Sequence, residues 1–238
     1  MNIALIGYGK MGHEIESIAT ERGHNIALII DQDNRHKLNA ESLKNVDVAI
    51  EFSSPETAFN NIKTCLLAGK PVVCGTTGWL SDLDKAKEMA ENGDGALFYA
   101  SNFSIGVNLF FRLNKILAKY INTVKGYTFA IEEVHHTQKK DAPSGTAITL
   151  ADIISSEIDE LTGWSLVPEE IDHKIPITAL RKANVPGTHT VSLSSENDLI
   201  TLTHEAKNRK GFALGAVLAA EFAKGKKGFL TMDSLLKI

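Results

Sequence analysis

The chain has 238 residues, 43% of them hydrophobic and 23% charged, which suits one large or two modest globular domains with a sizeable core. A formal net charge of −4 with no long basic run makes nucleic acid a poor partner, and no apolar stretch approaches the roughly 20 residues that cross a bilayer. Cys65 and Cys74 carry neither metal spacing nor a disulfide framework, and the chain opens on a strand-like NIALIGYG without signal-peptide order, so a cytoplasmic protein is expected.

In chain order, IALIG (3–7) reads as a buried strand, followed by a helix that Gly23 ends. NIALIID (25–31) and VDVAIEFS (46–53) are the second and third strands. A helix over 54–69 has Ser54 as its cap and Pro55 at its first position, and Gly69 closes it. PVVCGTTG (71–78) is a fourth strand running into a loop, DLDKAKEMAENG a helix, and ALFYA (96–100) a fifth strand. Continuous apolar strands separated by helices predict a parallel sheet covered on both faces.

After Phe103 the pattern changes. GVNLFFRLNKILAKYI reads as one helix, YTFAIEEVHH alternates as a strand, and GTAITLADIISSEIDEL (145–161) is a long amphipathic helix. Residues 188–206 hold two alternating runs about a polar turn at Glu196–Asp198, an antiparallel hairpin. GFALGAVLAAEFAKG (211–225) is a small-residue helix that must pack closely against something. The expected fold class is therefore α/β, a Rossmann-type parallel-sheet domain followed by a second, α+β domain. The predicted boundary lies near residue 103, with domains over 1–103 and 104–210.

Gly7-Tyr8-Gly9-Lys10-Met11-Gly12 fits G-x-G-x-x-G and sits between a predicted strand and helix, the context in which glycines admit a pyrophosphate to a helix N-terminus. Asp31 ends the second strand about 20 residues on, where a carboxylate accepts hydrogen bonds from adenine ribose hydroxyls. It repels a 2′-phosphate, so NADH is favoured over NADPH, although Arg35 and Lys37 lie near enough to soften the preference. The loops Gly75-Thr76-Thr77-Gly78 and Ala100-Ser101-Asn102-Phe103 follow strand ends, and each reads either as a further cofactor contact or as ordinary turn chemistry.

EEVHHTQKKDAPSGTA (132–147) gathers two histidines and two lysines ahead of a small-residue turn. Ser144 is the predicted cap of the helix from Gly145, which leaves amides at Gly145 and Thr146 for an anion. His135 or His136 would move protons near neutral pH, and a lysine adds charge and a donor. A solvated basic loop is the alternative. Adjacent histidines without a third ligand make a poor zinc site, so no metal is expected. His13, His24, His36, His173 and His204 read as surface or structural residues, and both cysteines as buried inert thiols.

HHTQKKDAPSGTA, with GYGKMG, GTTG, SNFSIGVN and the tail THEAKNRKGFALGAVLAAEF, closely resembles the dihydrodipicolinate reductase family. The resemblance runs from residue 2 almost to the C-terminus. It implies NAD(P)H-dependent reduction of 4-hydroxy-tetrahydrodipicolinate with loss of water, on the diaminopimelate route to lysine. It further implies His135 as acid/base, Lys139 as a proton donor, and His136, Ser144, Gly145 and Thr146 as the binding site of a dicarboxylate substrate. Gly7 to Gly12, Asp31, Gly75 to Thr77 and Ala100 to Phe103 would line the cofactor. A cytoplasmic homotetramer is implied, assembled by sheets of the second domain, with the C-terminal helix returning to the first domain, which residues 211–238 complete. Two departures stand in RKANVPGTH (181–189): Ala183 replaces a family glycine and Thr188 an acidic residue, while Arg181, Gly187 and His189 remain. The rival readings are another two-domain dehydrogenase, of aspartate or homoserine type, and a non-catalytic NAD(H) sensor.

Overall fold

The computed structural model describes residues 1–169, 171–208 and 210–237. Two compact units emerge, one from Met1–Ile105 with the chain from Lys210 onward, the other from Gly106–Arg209.

In the first unit, β1 (Asn2–Ile6), β2 (Asn25–Ile30), β3 (Val48–Glu51), β4 (Val72–Cys74), β5 (Ala96–Tyr99) and β11 (Gly228–Leu230) form a parallel sheet in the order β11-β5-β4-β3-β1-β2. Successive side chains of β1 serve opposite faces. Ile3 and Leu5 enter one core with α1 (Lys10–Glu21) and α6 (Lys210–Ala223), whereas Ala4 and Ile6 enter the other with α2 (Pro55–Leu67) and α3 (Leu83–Asn92). This double coverage is why the strands carry no polar alternation. The small-residue helix α6 buries five alanines and Gly215 against that sheet, and Glu221 on it accepts from Arg22 at 2.8 Å and pairs with His24 at 2.7 Å at the end of α1. The strand β11 and helix α7 (Met232–Leu236) have too few residues to show a period, and the sequence reading passed over them.

In the second unit, β6 (Thr128–His135) lies at the centre of a mixed sheet of order β10-β9-β6-β8-β7. It pairs antiparallel with β9 (Thr188–Ser194) and parallel with β8 (Ile175–Arg181). The expected hairpin is present: β10 (Leu199–Glu205) returns along β9 through a turn that Ser195 and Asp198 close, N–H to carbonyl, at 3.0 Å. β7 (Trp164–Leu166) and the Pro176-bearing β8 are further strands that periodicity did not reveal. One sheet face carries Phe129, Ile131, Ile177, Val191 and Leu193 onto α4 (Ile105–Ile121) and α5 (Gly145–Glu157). α5 is shorter than expected. It stops at Glu157 because Ile158 turns extended, and Ile158 and Leu161 reach the core from a loop instead. Among the described residues no helix is long and apolar enough to cross a membrane.

Candidate functional site

In the first unit, the loop after β1 opens a cleft of about 370 Å³ lined by Gly7, Tyr8, Gly9, Asp31, Arg35 and Ser53, among others. It lies where β1 stands between β2 and β3, at the reversal of strand order that favours ligand binding in open α/β sheets. Gly7 has φ +91°, and a Cβ there would sit 2.1 Å from the Phe52 carbonyl oxygen, so only glycine lets the chain turn this tightly. Gly9 caps α1 without any side chain bonding to the helix amides, and the space a Cβ would take there is open. A glycine-capped helix end facing a cleft suits a pyrophosphate, and these residues fit a nicotinamide dinucleotide. Asp31 accepts from the Gln32 amide at 2.8 Å, which fixes its carboxylate at the cleft rim.

The remaining first-unit positions are placed differently. Lys10, Met11 and Gly12 form the first turn of α1, with Met11 packed on the core. Thr76 is buried, its hydroxyl accepting from the Ser53 amide at 2.8 Å, while Thr77 is exposed and Gly75 lies flat against the Phe52 ring. Ser101 is exposed and Ala100 nearly covered. Phe103 is a core residue, its ring packed between those of Phe52 and Phe98 at 5.6 and 5.8 Å, so its backbone alone remains for a ligand. The sequence reading passed over Phe52, Ser53, Ser54, Thr57 and Asn61, which line the cleft from β3 and α2. Cys65 and Cys74 are both fully buried, and burial pushes the Cys65 thiol up to about 12.

In the second unit, period-2 geometry sets Phe129, Ile131, Glu133 and His135 on one face of β6, so an apolar row ends in a carboxylate and an imidazole. Glu133 has no exposed surface. Register completes the site: His189 of β9 stands opposite Glu133, and Arg181 of β8 opposite His135. The Arg181 guanidinium donates twice to Glu133 Oε1, at 3.1 and 3.2 Å. His135 Nδ1 lies 2.9 Å from Glu133 Oε2, and His189 Nε2 lies 3.9 Å from the same oxygen. Burial would lift the Glu133 carboxyl, but His135, Ser144 and Arg181 outweigh it and hold the group down at about 2. These two imidazoles and the carboxylate offer donor atoms within 4.8 Å of one another, a spacing a metal could bridge. The guanidinium already bound to that carboxylate marks the group as an ion-pair network instead.

The strand ends at His135, so His136 starts a turn, closed by the Lys139 amide donating to its carbonyl at 3.1 Å. Both histidines thus belong to one corner without needing the same strand face. Lys139 Nζ is held by both oxygens of the exposed Asp141, at 2.8 and 2.9 Å. Arg181 also donates to the Asp141 carbonyl at 2.7 Å, tying the loop to the sheet. Ser144 caps α5 as expected, accepting from the Ala147 amide at 3.3 Å, and its Oγ lies 3.0 Å from His189 Nε2. Gly145 heads the helix, exposed. Of the departures, Thr188 opens β9 opposite Val134, where a strand accepts it, and Ala183 precedes Asn184 at φ +61°. His204 stacks on Phe110 and His24 pairs with Glu221, both structural uses.

Burial and the neighbouring His135 lower His189 to about 4. A base with a depressed folded-state pKa binds fewer protons folded than unfolded, so stability is complete above pH ~6.5 and is lost as pH falls towards ~4. That loss should be on the order of 3 kcal/mol. Urea unfolding across this window should show it, and His189→Gln, which keeps a donor for Ser144, should flatten it. An equally steep decline in the variant would refute the assignment.

The N-terminal family model of dihydrodipicolinate reductase matches residues 1–103 and the C-terminal model residues 106–236. The chain belongs to the dihydrodipicolinate reductase family. A 4-hydroxy-tetrahydrodipicolinate reductase of Christiangramia forsetii is 53% identical over 99% of this chain and 98% of its own. One from Aquifex aeolicus is 40% identical over 82% of this chain and 75% of its own. Among solved structures, dipicolinate-bound dihydrodipicolinate reductase from Paenisporosarcina sp. TG-14 has a TM-score of 0.81 at 25% identity, covering 97% of each chain. A rival dehydrogenase sharing the nucleotide half alone is set aside, because the family matches both halves.

Proposed function

We propose that the protein reduces 4-hydroxy-tetrahydrodipicolinate to tetrahydrodipicolinate with loss of water, in the diaminopimelate route to lysine. The observation that carries this reading is the corner at the end of β6. There His135, backed by a buried carboxylate, shares one short turn with Lys139 and the N-terminus of α5. A reduced nicotinamide dinucleotide, held by Gly7 to Gly12 and Asp31, would supply a hydride to C4 of the dehydrated, conjugated substrate ring. Gly75 to Thr77 and Ala100 to Phe103 would complete its enclosure.

The chain's own groups have separate tasks. His136, Ser144, Gly145 and Thr146 hold the substrate carboxylates at a helix end whose partial charge is positive. Lys139 supplies a fixed cation and donor as the ring nitrogen becomes electron-rich. His135 gives a proton to C3 of the hydride adduct, an aza-enolate whose negative charge rests on the ring nitrogen, and the neutral imine results. A sensor would need none of these groups.

The reading favours NADH, because the Asp31 carboxylate at the cleft rim repels a 2′-phosphate. Arg35 lines the same cleft and offsets part of that repulsion. The test couples the preceding synthase to this protein and follows NADH and NADPH consumption at ~340 nm, the absorbance of the reduced nicotinamide. Arg35→Ala should raise KM for NADPH about tenfold, the worth of one charge-assisted hydrogen bond, and leave KM for NADH nearly unchanged. No consumption of either cofactor, despite tight NADH binding, would favour the sensor; a large wild-type preference for NADPH would overturn the lean. The enzyme is further read as a cytoplasmic homotetramer. The half-exposed face bearing Thr178, Thr190 and Ser192, and the exposed Leu199 and Ile200 of edge strand β10, offer it surface. A native mass four times the 25.9 kDa chain is expected, and a monomer mass would end that part.

A further inference from the structure

We propose that Glu133 is a positioning residue, holding His135 in the one tautomer and orientation from which its Nε2 can release a proton. This rests on His135 as the acid of the reading above. The two residues are neighbours on one strand face, and His135 Nδ1 lies 2.9 Å from Glu133 Oε2, an ion-pair contact short of an aligned hydrogen bond, with the carboxylate fully buried and neither atom given a hydrogen-bond partner among the described residues. Arg181 occupies the other oxygen, Oε1, at 3.1 and 3.2 Å, so the carboxylate cannot rotate away from the ring without losing two hydrogen bonds. The far edge of the ring is kept clear by a glycine: at Gly187 a Cβ would come within 3.1 Å of His135 Nε2.

An ionised carboxylate accepts and never donates, so when this contact closes into a hydrogen bond Nδ1 carries the proton in both charge states of the ring. Proton transfer is then confined to Nε2. The Nε2–H bond breaks as the C–H bond forms at substrate C3, and the ring is left neutral with its remaining proton on Nδ1. Glu133 itself takes up no proton, as in the carboxylate–imidazole pairs of other enzymes. Its depressed ionisation, near 2, keeps it anionic wherever the enzyme works. The groups facing the imidazole are Glu133 on β6, Arg181 on β8, His189 on β9, and Lys139 with Asp141 in the following loop. Among them Glu133 is the anion in contact with the ring, and removing its charge leaves the exposed Asp141, already bound to Lys139, as the remaining carboxylate.

The bland alternative is that Glu133 only neutralises Arg181. Glu133→Gln separates the two, because the glutamine oxygen can still accept from Arg181 while its NH₂ is left to face His135 Nδ1. The variant should bind NADH as the wild type does, lose kcat by roughly 10²–10⁴-fold as other carboxylate-to-amide changes behind a catalytic imidazole do, and shift the alkaline limb of its kcat profile to lower pH. Glu133→Asp should recover part of the rate. A loss under tenfold, or a limb that does not move, would overturn the proposal. If the variant does not fold, the wild-type enzyme decides: ring ¹⁵N spectra, assigned against His135→Gln, should show the neutral His135 ring protonated at Nδ1, and protonation at Nε2 refutes the idea. Full turnover by His135→Gln would instead bring down the underlying acid assignment.

Discussion

Replacing His135 with glutamine should cut kcat by roughly 10²–10⁴-fold, the usual contribution of a placed general acid, while the dissociation constant for NADH stays within about threefold. The separation is expected because the NADH-binding residues are assigned to the first unit, around the cleft at Gly7 and Asp31, whereas His135 sits on β6 of the second. Glutamine preserves length and polarity and accepts no proton, so the loss reads chemistry more than packing. KM for the substrate should change little, because His135 is assigned to the transition state and the carboxylates to His136 and the α5 terminus. Steady-state kinetics with freshly made substrate, alongside NADH titration by fluorescence, is the measurement. A His135→Gln enzyme at near-wild-type turnover would remove the acid from its assigned place. Lys139→Ala belongs in the same series: its Nζ is bound to both oxygens of Asp141, and a normal kcat/KM in that variant would limit the lysine to holding its loop.

The largest stability effect is expected at a helix glycine packed against backbone. A Cβ at Gly215 would stand 1.7 Å from the carbonyl oxygen of Phe103 and 2.8 Å from its carbon. Real atoms do not approach so closely, and the neighbour is backbone, which cannot swing aside as a side-chain tip can. Gly215→Ala must therefore push α6 off the sheet or distort the segment at Phe103, which itself is wedged among Phe52, Phe98 and the α6 alanines. Overpacking of this kind costs about 3 kcal/mol or more, a large share of a typical domain's stability. Gly211 provides the control. It lies in the same helix with nothing near its missing Cβ, so Gly211→Ala should leave stability unchanged or raise it by up to ~1 kcal/mol. Urea midpoints of the two variants would test the contrast, and equal midpoints would show that α6 is not packed as described.

The sequence by itself determined a great deal here. Uninterrupted apolar strands between amphipathic helices require a sheet covered on both faces, and the glycine loop with Asp31 marks where its ligand cleft opens. The alanine-rich stretch at 211–225 announced tight packing, though not its partner, because small residues specify closeness without specifying against what. His135, Lys139 and Ser144 sit within ten residues of each other, so local chemistry marked the stretch as a candidate, while their separate roles came only from the family resemblance. Glu133 was available in principle: counting in twos from Phe129 places it on the buried face, but a glutamate beside a second, exposed glutamate reads as solvated until the strand's register is known. Arg181 and His189 stood out only as matches to the stretch of the resembled family, since nothing along the chain says that residues 46 and 54 positions beyond His135 return to it. Their meeting is decided by β8 and β9 pairing on either side of β6, with Arg181 level with His135 and His189 level with Glu133. Sheet register is a long-range property, selected by which buried faces match, and a slip of one residue would turn every one of these side chains away from the others.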